Sequence, residues 1–170
     1  KTIEAQKIKE GMMAPAPRRI PEAKIVDEEN TEEKGTFYGL LCSEGYTYKN
    51  DKHRYAEIGI CNTDNEIIEL SKKVMEKVLE KKPSLLIRNP SDNTRATKVH
   101  TTVRVMSKRA YQMLETKTPE VLQKAPLKRV PNEIKSGTQQ LKYFFLQGFY
   151  LGDGFVDQQR TGFVTSSFHM

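Results

Sequence analysis

Two carboxylates of this chain stand in matching sequence surroundings, a pattern that can mark a paired functional site. Residues 37–46 (FYGLLCSEGY) align without gaps to residues 146–155 (LQGFYLGDGF). Each segment contains two small residues four positions apart, followed by an acid, a glycine and an aromatic residue. The acids are Glu44 in the first segment and Asp153 in the second. Hard divalent cations prefer oxygen ligands, so this pair is a candidate metal site.

The small residues predict how the two acids could meet. Positions i and i+4 lie on one face of a helix, and small residues there allow two helix backbones to approach closely. Helices packed in this way would bring Glu44 and Asp153 together at their C-terminal ends, where the helix dipole already places negative charge. A divalent cation between the acids would relieve their repulsion. Two unrelated helix ends with exposed acids are the alternative. The predicted helix-interface residues are Gly39, Ser43, Gly148 and Gly152.

The elements around the first acid follow a regular order. Hydrophobic periodicity and turn residues predict helix, hairpin, helix, hairpin and helix. Gly45 is predicted to end the first helix in the left-handed conformation. Thr63 is predicted to cap the second helix through a capping box with Glu66, and Pro83 to end it. The other predicted helices span residues 36–43 and 108–115, and the predicted strands span residues 46–50, 54–62, 85–87 and 97–106.

The last of these strands alternates between apolar and polar side chains. Val99, Val103 and Val105 fall on one face, as expected for a half-buried strand. The opposite face presents cations, an imidazole and a hydroxyl in one row, about 7 Å apart. This row predicts a nucleic-acid-binding surface, and an ordinary solvated sheet face is the alternative. The predicted binding residues are Lys98, His100, Thr102 and Arg104, with Lys49, Arg54 and Arg88 as weaker candidates from neighbouring strands.

Charge and composition limit the class of protein. The net charge is +6, and residues 72–135 contain 16 Lys and Arg against 6 Asp and Glu. This surplus suits a polyanion such as nucleic acid, although a solvated lysine-rich surface would explain it equally well. Cys42 and Cys61 are the only cysteines, which excludes a disulfide framework and indicates a reducing, cytoplasmic location. No apolar run approaches the roughly 18 residues of a membrane helix, so no membrane partner is expected.

The two matching segments resemble the paired motifs of the LAGLIDADG homing endonucleases. Residues 130–137, which lead into residues 144–149, resemble the approach to the second motif of that family, and residues 56–68 resemble the strand-to-helix step after the first. The resemblance implies an enzyme that cleaves double-stranded DNA at a long recognition site, with β-sheet saddles that straddle the major groove. It also implies that Glu44 and Asp153 bind Mg²⁺ and are the catalytic acids, one in each half of the enzyme.

The same resemblance implies an α+β fold built from αββαββα half-domains. Its expected parts are residues 35–130 as the first half-domain and residues 131–170 as the incomplete start of a second. Residues 7–21 resemble a segment of an intein splicing (Hint) domain, so residues 1–34 are expected to be a short β segment of that domain followed by a linker. The expected partners are a DNA duplex, the host protein that carries the intein and, if the second half is completed in trans, a second protomer.

Some residues depart from the family pattern. Only one strand, residues 162–167, is predicted after the second motif, whereas a full half-domain needs further helices and strands. Many members carry a lysine after the second strand of a half, but the matching positions here are Thr63 and Ser166. The residues that perform splicing are also absent from the chain. A LAGLIDADG-derived nucleic-acid-binding protein that does not cleave is therefore one alternative, and a basic binding module with a coincidental repeat is another.

Overall fold

A helix that is covered on every side, α1 (Thr31–Ser43), lies at the centre of the molecule. The computed structural model describes residues 31–89, 99–156 and 161–165. All eight consecutive residues from Gly35 to Cys42 are buried, so α1 has no solvent-exposed face along this stretch. A four-stranded sheet and a second helix pack on opposite sides of it. The low exposure of residues 35–42 agrees with their apolar or small side chains, without the polar stripe of a surface helix.

The sheet is antiparallel, and its strand order is β1-β2-β4-β3. Its strands are β1 (Gly45–Asn50), β2 (Tyr55–Asn62), β3 (Ser84–Arg88) and β4 (His100–Met106). Ile58, Ile60, Val103 and Val105 are almost fully buried on the face that helices cover. The helices that follow the two hairpins are α2 (Asn65–Leu79) and α3 (Lys108–Lys117). The predicted order of helix, hairpin, helix, hairpin and helix is therefore confirmed.

Two sequence predictions are wrong in detail, one for the residue that caps α2 and one for the conformation of Gly45 at the end of α1. Asp64, not Thr63, caps α2, because its carboxylate accepts hydrogen bonds from the amides of Glu66 at 2.8 Å and Ile67 at 3.4 Å. The side chain of Asn62 accepts from the amides of Thr63 and Asp64, which shifts the turn by one residue. Gly45 does not adopt a left-handed conformation. It is the first residue of β1, so helix α1 passes directly into the strand.

The chain then returns to α1. Two 3₁₀ turns (Pro119–Leu122 and Ala125–Leu127) and the short helix α4 (Asn132–Ser136) lead to α5 (Gln139–Asp153), which packs along α1. The hydroxyl of Thr138 caps α5 by accepting from the amide of Leu141 at 3.2 Å. A small hairpin, β5 (Gly154–Val156) and β6 (Thr161–Phe163), follows directly. Strand β6 begins one residue before the predicted range of residues 162–167 and ends at Phe163, and residues 166 and 167 lie outside the described residues.

The start of α1 changes the predicted domain limits. Because the helix begins at Thr31, the acidic residues Glu32 and Glu33 form its first turn, where they complement the helix dipole. Lys34 pairs with Glu133 of α4, so this turn is part of the packed fold and not a solvated linker. The predicted splicing-domain segment, residues 7–21, lies outside the described residues. Within the described ranges, no helix is both long enough and apolar enough to cross a membrane.

Candidate acid pair and sheet groove

Helices α1 and α5 are in backbone contact through the predicted small residues. A Cβ atom added at Gly39 would lie less than 3 Å from backbone atoms of Phe145, Gly148 and Phe149. A Cβ atom at Gly148 would lie 2.5 Å from the carbonyl oxygen of Thr36. Gly35, which the motif comparison did not single out, makes a third such contact one turn earlier in α1, with Leu141, Phe144 and Phe145. The contacts advance in the same direction along both helices, so the helices are parallel.

This parallel packing brings the two acids to one end of the helix pair. Glu44 directly follows α1, and Asp153 is the last residue of α5. A Cβ atom at Gly152 would lie 2.8 Å from Cγ of Glu44, which shows how tightly the two ends meet. Ser43 turns its hydroxyl back to donate to the carbonyl oxygen of Gly39 at 3.1 Å. The structure therefore places Glu44 and Asp153 side by side, with the four predicted interface residues between their helices.

The electrostatic environment of the pair is unfavourable for two negative charges. Burial raises the pKa of Glu44, and the neighbouring Asp153 carboxylate raises it further. Burial also raises the pKa of Asp153. The ammonium group of Lys128 opposes both shifts. Two partly buried carboxylates with raised pKa values form a site that gains free energy when a cation binds between them.

Lys128 is the residue of this site that sequence reasoning missed. Its side chain is buried, and its Nζ donates hydrogen bonds to the carbonyl oxygens of Leu41 at 2.7 Å and Gly45 at 2.6 Å. These carbonyls belong to the C-terminal end of α1 and the start of β1, where a cation is favourable. Lys128 lies in the segment before α4, far from Glu44 in the sequence, and no local pattern indicates that it joins the acid pair.

The carboxylate oxygens of Glu44 and Asp153 are the type of ligand that hard divalent cations prefer. Two carboxylates together with phosphate oxygens of a substrate and water are a usual ligand set for Mg²⁺. The nearby Cys42 thiol is buried, and this burial raises its pKa to about 12. Across the described ranges, no group of three or more His, Cys, Asp and Glu residues could hold a metal by itself.

The sheet face opposite the helices forms an open groove of about 470 Å³. Arg88 and Arg104 line it together with Thr102, which is itself buried. His100 pairs with Arg88 across β3 and β4 and therefore shares this face. Lys98 lies outside the described residues. The remaining lining residues are Tyr46, Thr47, Tyr48, Glu57 and Cys61. Three of the four residues predicted to form the binding row, His100, Thr102 and Arg104, therefore share this face of the sheet.

Two of the weaker candidates do not join this groove. Lys49 pairs in register with Ala56 on the helix-covered face, and its ammonium lies 3.0 Å from Glu115 and 5.6 Å from the centre of the Tyr111 ring. The expectation that Lys49 shares a surface with Arg104 is therefore wrong, because the strand alternation directs its side chain to α3. Arg54 is exposed in the turn between β1 and β2, with a φ of 51°.

The basic surplus of residues 72–135 is divided between two sides of the sheet. Lys72, Lys73 and Lys77 belong to α2, and Lys108 and Arg109 belong to α3, on the side opposite the groove. Lys72 is paired with Glu69 at 2.9 Å. The count of basic residues along the sequence therefore overstated the positive charge of the groove. Many of these basic residues lie on the helix surface instead, which agrees with the alternative explanation of a solvated lysine-rich surface.

Comparisons with known proteins indicate the fold. No protein-family model matches the chain, and no curated protein matches it. Among solved structures, the homing endonuclease I-WcaI bound to its DNA recognition sequence is similar with a TM-score of 0.50 and 15% identity over 76% of this chain. A variant of I-DmoI with nicked target DNA and manganese has a TM-score of 0.48 and 18% identity over 78% of this chain. A variant of I-SmaMI has a TM-score of 0.37 and 13% identity over 80% of this chain.

This chain spans 54% of the length of I-WcaI, 68% of that of I-DmoI and 61% of that of I-SmaMI. The similarity to I-WcaI agrees with the αββαββα order described above. The chain therefore has an α+β fold of the homing-endonuclease type.

Proposed function

We propose that this chain is part of a LAGLIDADG homing endonuclease that hydrolyses both strands of a DNA duplex with the help of a divalent cation, Mg²⁺ in the cell. The observation that carries the proposal is the placement of Glu44 and Asp153 at the adjacent C-terminal ends of two parallel helices. Such a placement raises the pKa of both acids. A fold gains nothing in stability from this arrangement, so a ligand is its best explanation.

The groove on the open face of the sheet is the proposed DNA-binding surface. Arg88 and Arg104 supply positive charge there, and an antiparallel sheet of this width presents side chains in rows that suit a duplex groove. The similar structure of I-WcaI was determined with its DNA recognition sequence bound. The DNA of this chain is proposed to lie across β1 to β4.

The catalytic roles follow from the chemistry of the acid pair. Glu44 and Asp153 would hold the cation, which lowers the pKa of a bound water and neutralises negative charge on the phosphate when present. Lys128 holds positive charge beside both acids and fixes the strand start at Gly45. Lys128 is therefore proposed to position Glu44 and to limit the repulsion between the acids.

The second half of the proposed enzyme would pack on α5. In the gapless alignment of the two motifs, Leu146 corresponds to Phe37, which is fully buried in the hydrophobic core. Leu146 itself is 55% exposed. A second sheet, from the same longer chain or from a second protomer, would cover it. The resemblance of residues 7–21 to a splicing-domain segment supports the proposal that an intein in a host protein encodes the enzyme.

Substitution of the two acids tests the function. Asp153→Asn and Glu44→Gln keep the shape of each side chain but remove the charge that holds a hard cation. In the protein that carries this chain, Asp153→Asn should abolish Mg²⁺-dependent cleavage of a duplex library while it leaves DNA binding largely intact. Glu44→Gln should act in the same way, although one strand could still be nicked. Asp51→Asn and Glu76→Gln, which alter exposed carboxylates, are matched controls.

Three outcomes distinguish the candidate functions. Calorimetric titration of Mg²⁺ into the protein–duplex complex should show a binding heat that Asp153→Asn removes and Asp51→Asn retains. Cleavage by Asp153→Asn at the wild-type rate would eliminate the proposed mechanism. Duplex binding without cleavage by the intact wild-type protein, at any divalent cation concentration, would identify the chain as the non-cleaving nucleic-acid-binding alternative.

A further inference from the structure

A buried carboxylate lies in the middle of the otherwise basic groove. Glu57 of β2 is only 7% exposed, although it points away from the hydrophobic core. Its Oε1 accepts a hydrogen bond from the hydroxyl of Tyr46, and its Oε2 accepts one from the hydroxyl of Tyr55. Burial and the Glu57 carboxylate both raise the pKa of the Tyr46 phenol, so Tyr46 remains a donor. The carboxylate is thus held by two fixed donors from the strands on either side of the first turn.

The backbone is adapted to this arrangement. Tyr46, Gly59 and Arg104 stand side by side on β1, β2 and β4. A Cβ atom at Gly59 would lie 2.7 Å from the hydroxyl oxygen of Tyr46 and even closer to its ring. The Tyr46 ring therefore lies over Gly59, and a side chain at this position would have to displace it. We call Tyr46, Tyr55, Glu57 and Arg104 the Glu57 cluster. The strand register and the space at Gly59 position it, so it is part of the sheet and not a chance contact between surface side chains.

Arg104 is the cation of the cluster, and its donors are largely unused. Its Nη1 lies 3.7 Å from Oε2 of Glu57, which is an ion pair but too long for a hydrogen bond. To the extent that the chain is described, the guanidinium makes no hydrogen bond, and its buried Nε has no partner. Its side chain is 25% exposed, so part of the guanidinium faces the groove. A planar group with free donors in an open groove is ready to bind an acceptor from a ligand.

We propose that Glu57 is a positioning residue that holds Arg104 for a bidentate contact with the O6 and N7 atoms of one guanine in the DNA major groove. The inference rests on the proposed function and specifies how that site reads sequence. Two parallel N–H donors of arginine match this pair of guanine acceptors. Arg104 is on β4, an inner strand of the sheet.

The charge of Glu57 argues against a phosphate contact. A carboxylate 3.7 Å from the guanidinium cancels much of its long-range attraction for a negative phosphate. The directional hydrogen bonds of the arginine remain, because the carboxylate is saturated by Tyr46 and Tyr55. Phosphate contacts set affinity without sequence information, whereas base contacts set sequence preference. The cluster is therefore suited to specificity more than to affinity.

Selection of bound duplexes from a randomised double-stranded DNA library, with the protein that carries this chain and with its variants, tests the proposal. The wild-type chain should enrich a guanine at one position, and Arg104→Lys should remove that enrichment. Glu57→Gln should reduce it about tenfold, within the discrimination that one bidentate pair supplies. Glu57→Gln added to Arg104→Lys should have no further effect, because both act through one contact. Glu115→Gln and Arg109→Lys, which alter the same residue types on the helix side, should leave the enrichment unchanged.

The opposite results overturn the inference. Equal loss of binding to all sequences in Glu57→Gln and Arg104→Lys would indicate a phosphate or purely structural role. If Glu57→Gln fails to fold by circular dichroism, Tyr55→Phe removes one donor to the carboxylate from an accessible position and should lower the same guanine enrichment. An unchanged enrichment in Tyr55→Phe would then refute the proposal. If the wild-type protein that carries this chain binds no duplex, the proposed function is overturned as well, whereas sequence-selective binding that is unaffected by these variants overturns only the role of Glu57.

Discussion

Lys128 donates a 2.6 Å hydrogen bond to the carbonyl oxygen of Gly45, the residue that follows the acid Glu44. The same ammonium donates to the carbonyl oxygen of Leu41 at 2.7 Å. One buried side chain thus closes the C-terminal end of α1 and holds the start of β1. Because this lysine also lowers the pKa of both Glu44 and Asp153, it links the stability of the helix end to the charge state of the acid pair.

Replacement of Lys128 by methionine should destabilise the fold. Methionine fills a similar volume but leaves the carbonyls of Leu41 and Gly45 buried without donors, at a cost of about 2 kcal/mol in the free energy of unfolding. Urea denaturation measures this difference. Lys124→Met, at an exposed position in the same segment, should change the free energy by less than about 0.5 kcal/mol. Equal effects of the two substitutions would show that the buried hydrogen bonds of Lys128 contribute nothing.

The acid pair should make stability fall as the pH rises. Both acids have a higher pKa in the folded than in the unfolded state, so the folded state keeps its protons longer. Their contribution to the free energy of unfolding is complete below the unfolded-state pKa values of about 4. It is lost as the pH rises through the higher pKa values of the folded state. Glu44→Gln and Asp153→Asn should therefore stabilise the metal-free protein at about pH 7, by roughly 1 kcal/mol or less because water still reaches both groups.

Chemical denaturation of these variants at several pH values is the measurement. The stabilising effect should disappear at about pH 3, where both acids are protonated in both states. Asp51→Asn should show no such pH-dependent gain, because Asp51 is exposed in a turn. A gain that persists at low pH would indicate that charge repulsion is not its cause.

The contact between α1 and α5 should not tolerate a methyl group. In Gly39→Ala, the new Cβ would lie less than 3 Å from backbone atoms of Phe145 and Phe149, which cannot move without separating the helices. We expect a loss of about 3 kcal/mol in the free energy of unfolding, measured by urea denaturation. Gly162→Ala, where the nearest atom belongs to the movable ring of Phe155 at 3.1 Å, should have a much smaller effect. Similar losses at both sites would contradict the close helix packing.

The two basic sides of the sheet should differ in DNA binding. Arg88→Gln, in the groove, should weaken binding to all duplexes and lower the slope of log K against log salt by about 1, as expected for a lost phosphate contact. Lys73→Gln removes a charge of the same sign from the exposed side of α2. It should leave affinity and slope nearly unchanged in fluorescence anisotropy titrations. The reverse result would place the DNA on the helix side of the sheet.

The sequence alone determined the features that depend on local pattern. The alternation of valines in β4 identified its buried face, and the spacing of Gly39 with Ser43 and of Gly148 with Gly152 predicted a close helix pair. Both arguments succeed because side-chain direction repeats with a fixed period in strands and helices. The two acids could be paired from sequence for the same reason, since each follows the same helical segment directly.

Only the tertiary structure decided which charges share a surface. Lys49 lies close to groove residues in the sequence but points to α3, because one step along a strand reverses the face. Lys128 is far from Glu44 in the sequence, yet its ammonium lies at the end of α1. No sequence pattern distinguishes Glu57 from other acidic residues, and only the strand register places it against Tyr46 and Arg104. Contacts of this kind depend on how distant segments pack, and no local period of the sequence records that arrangement.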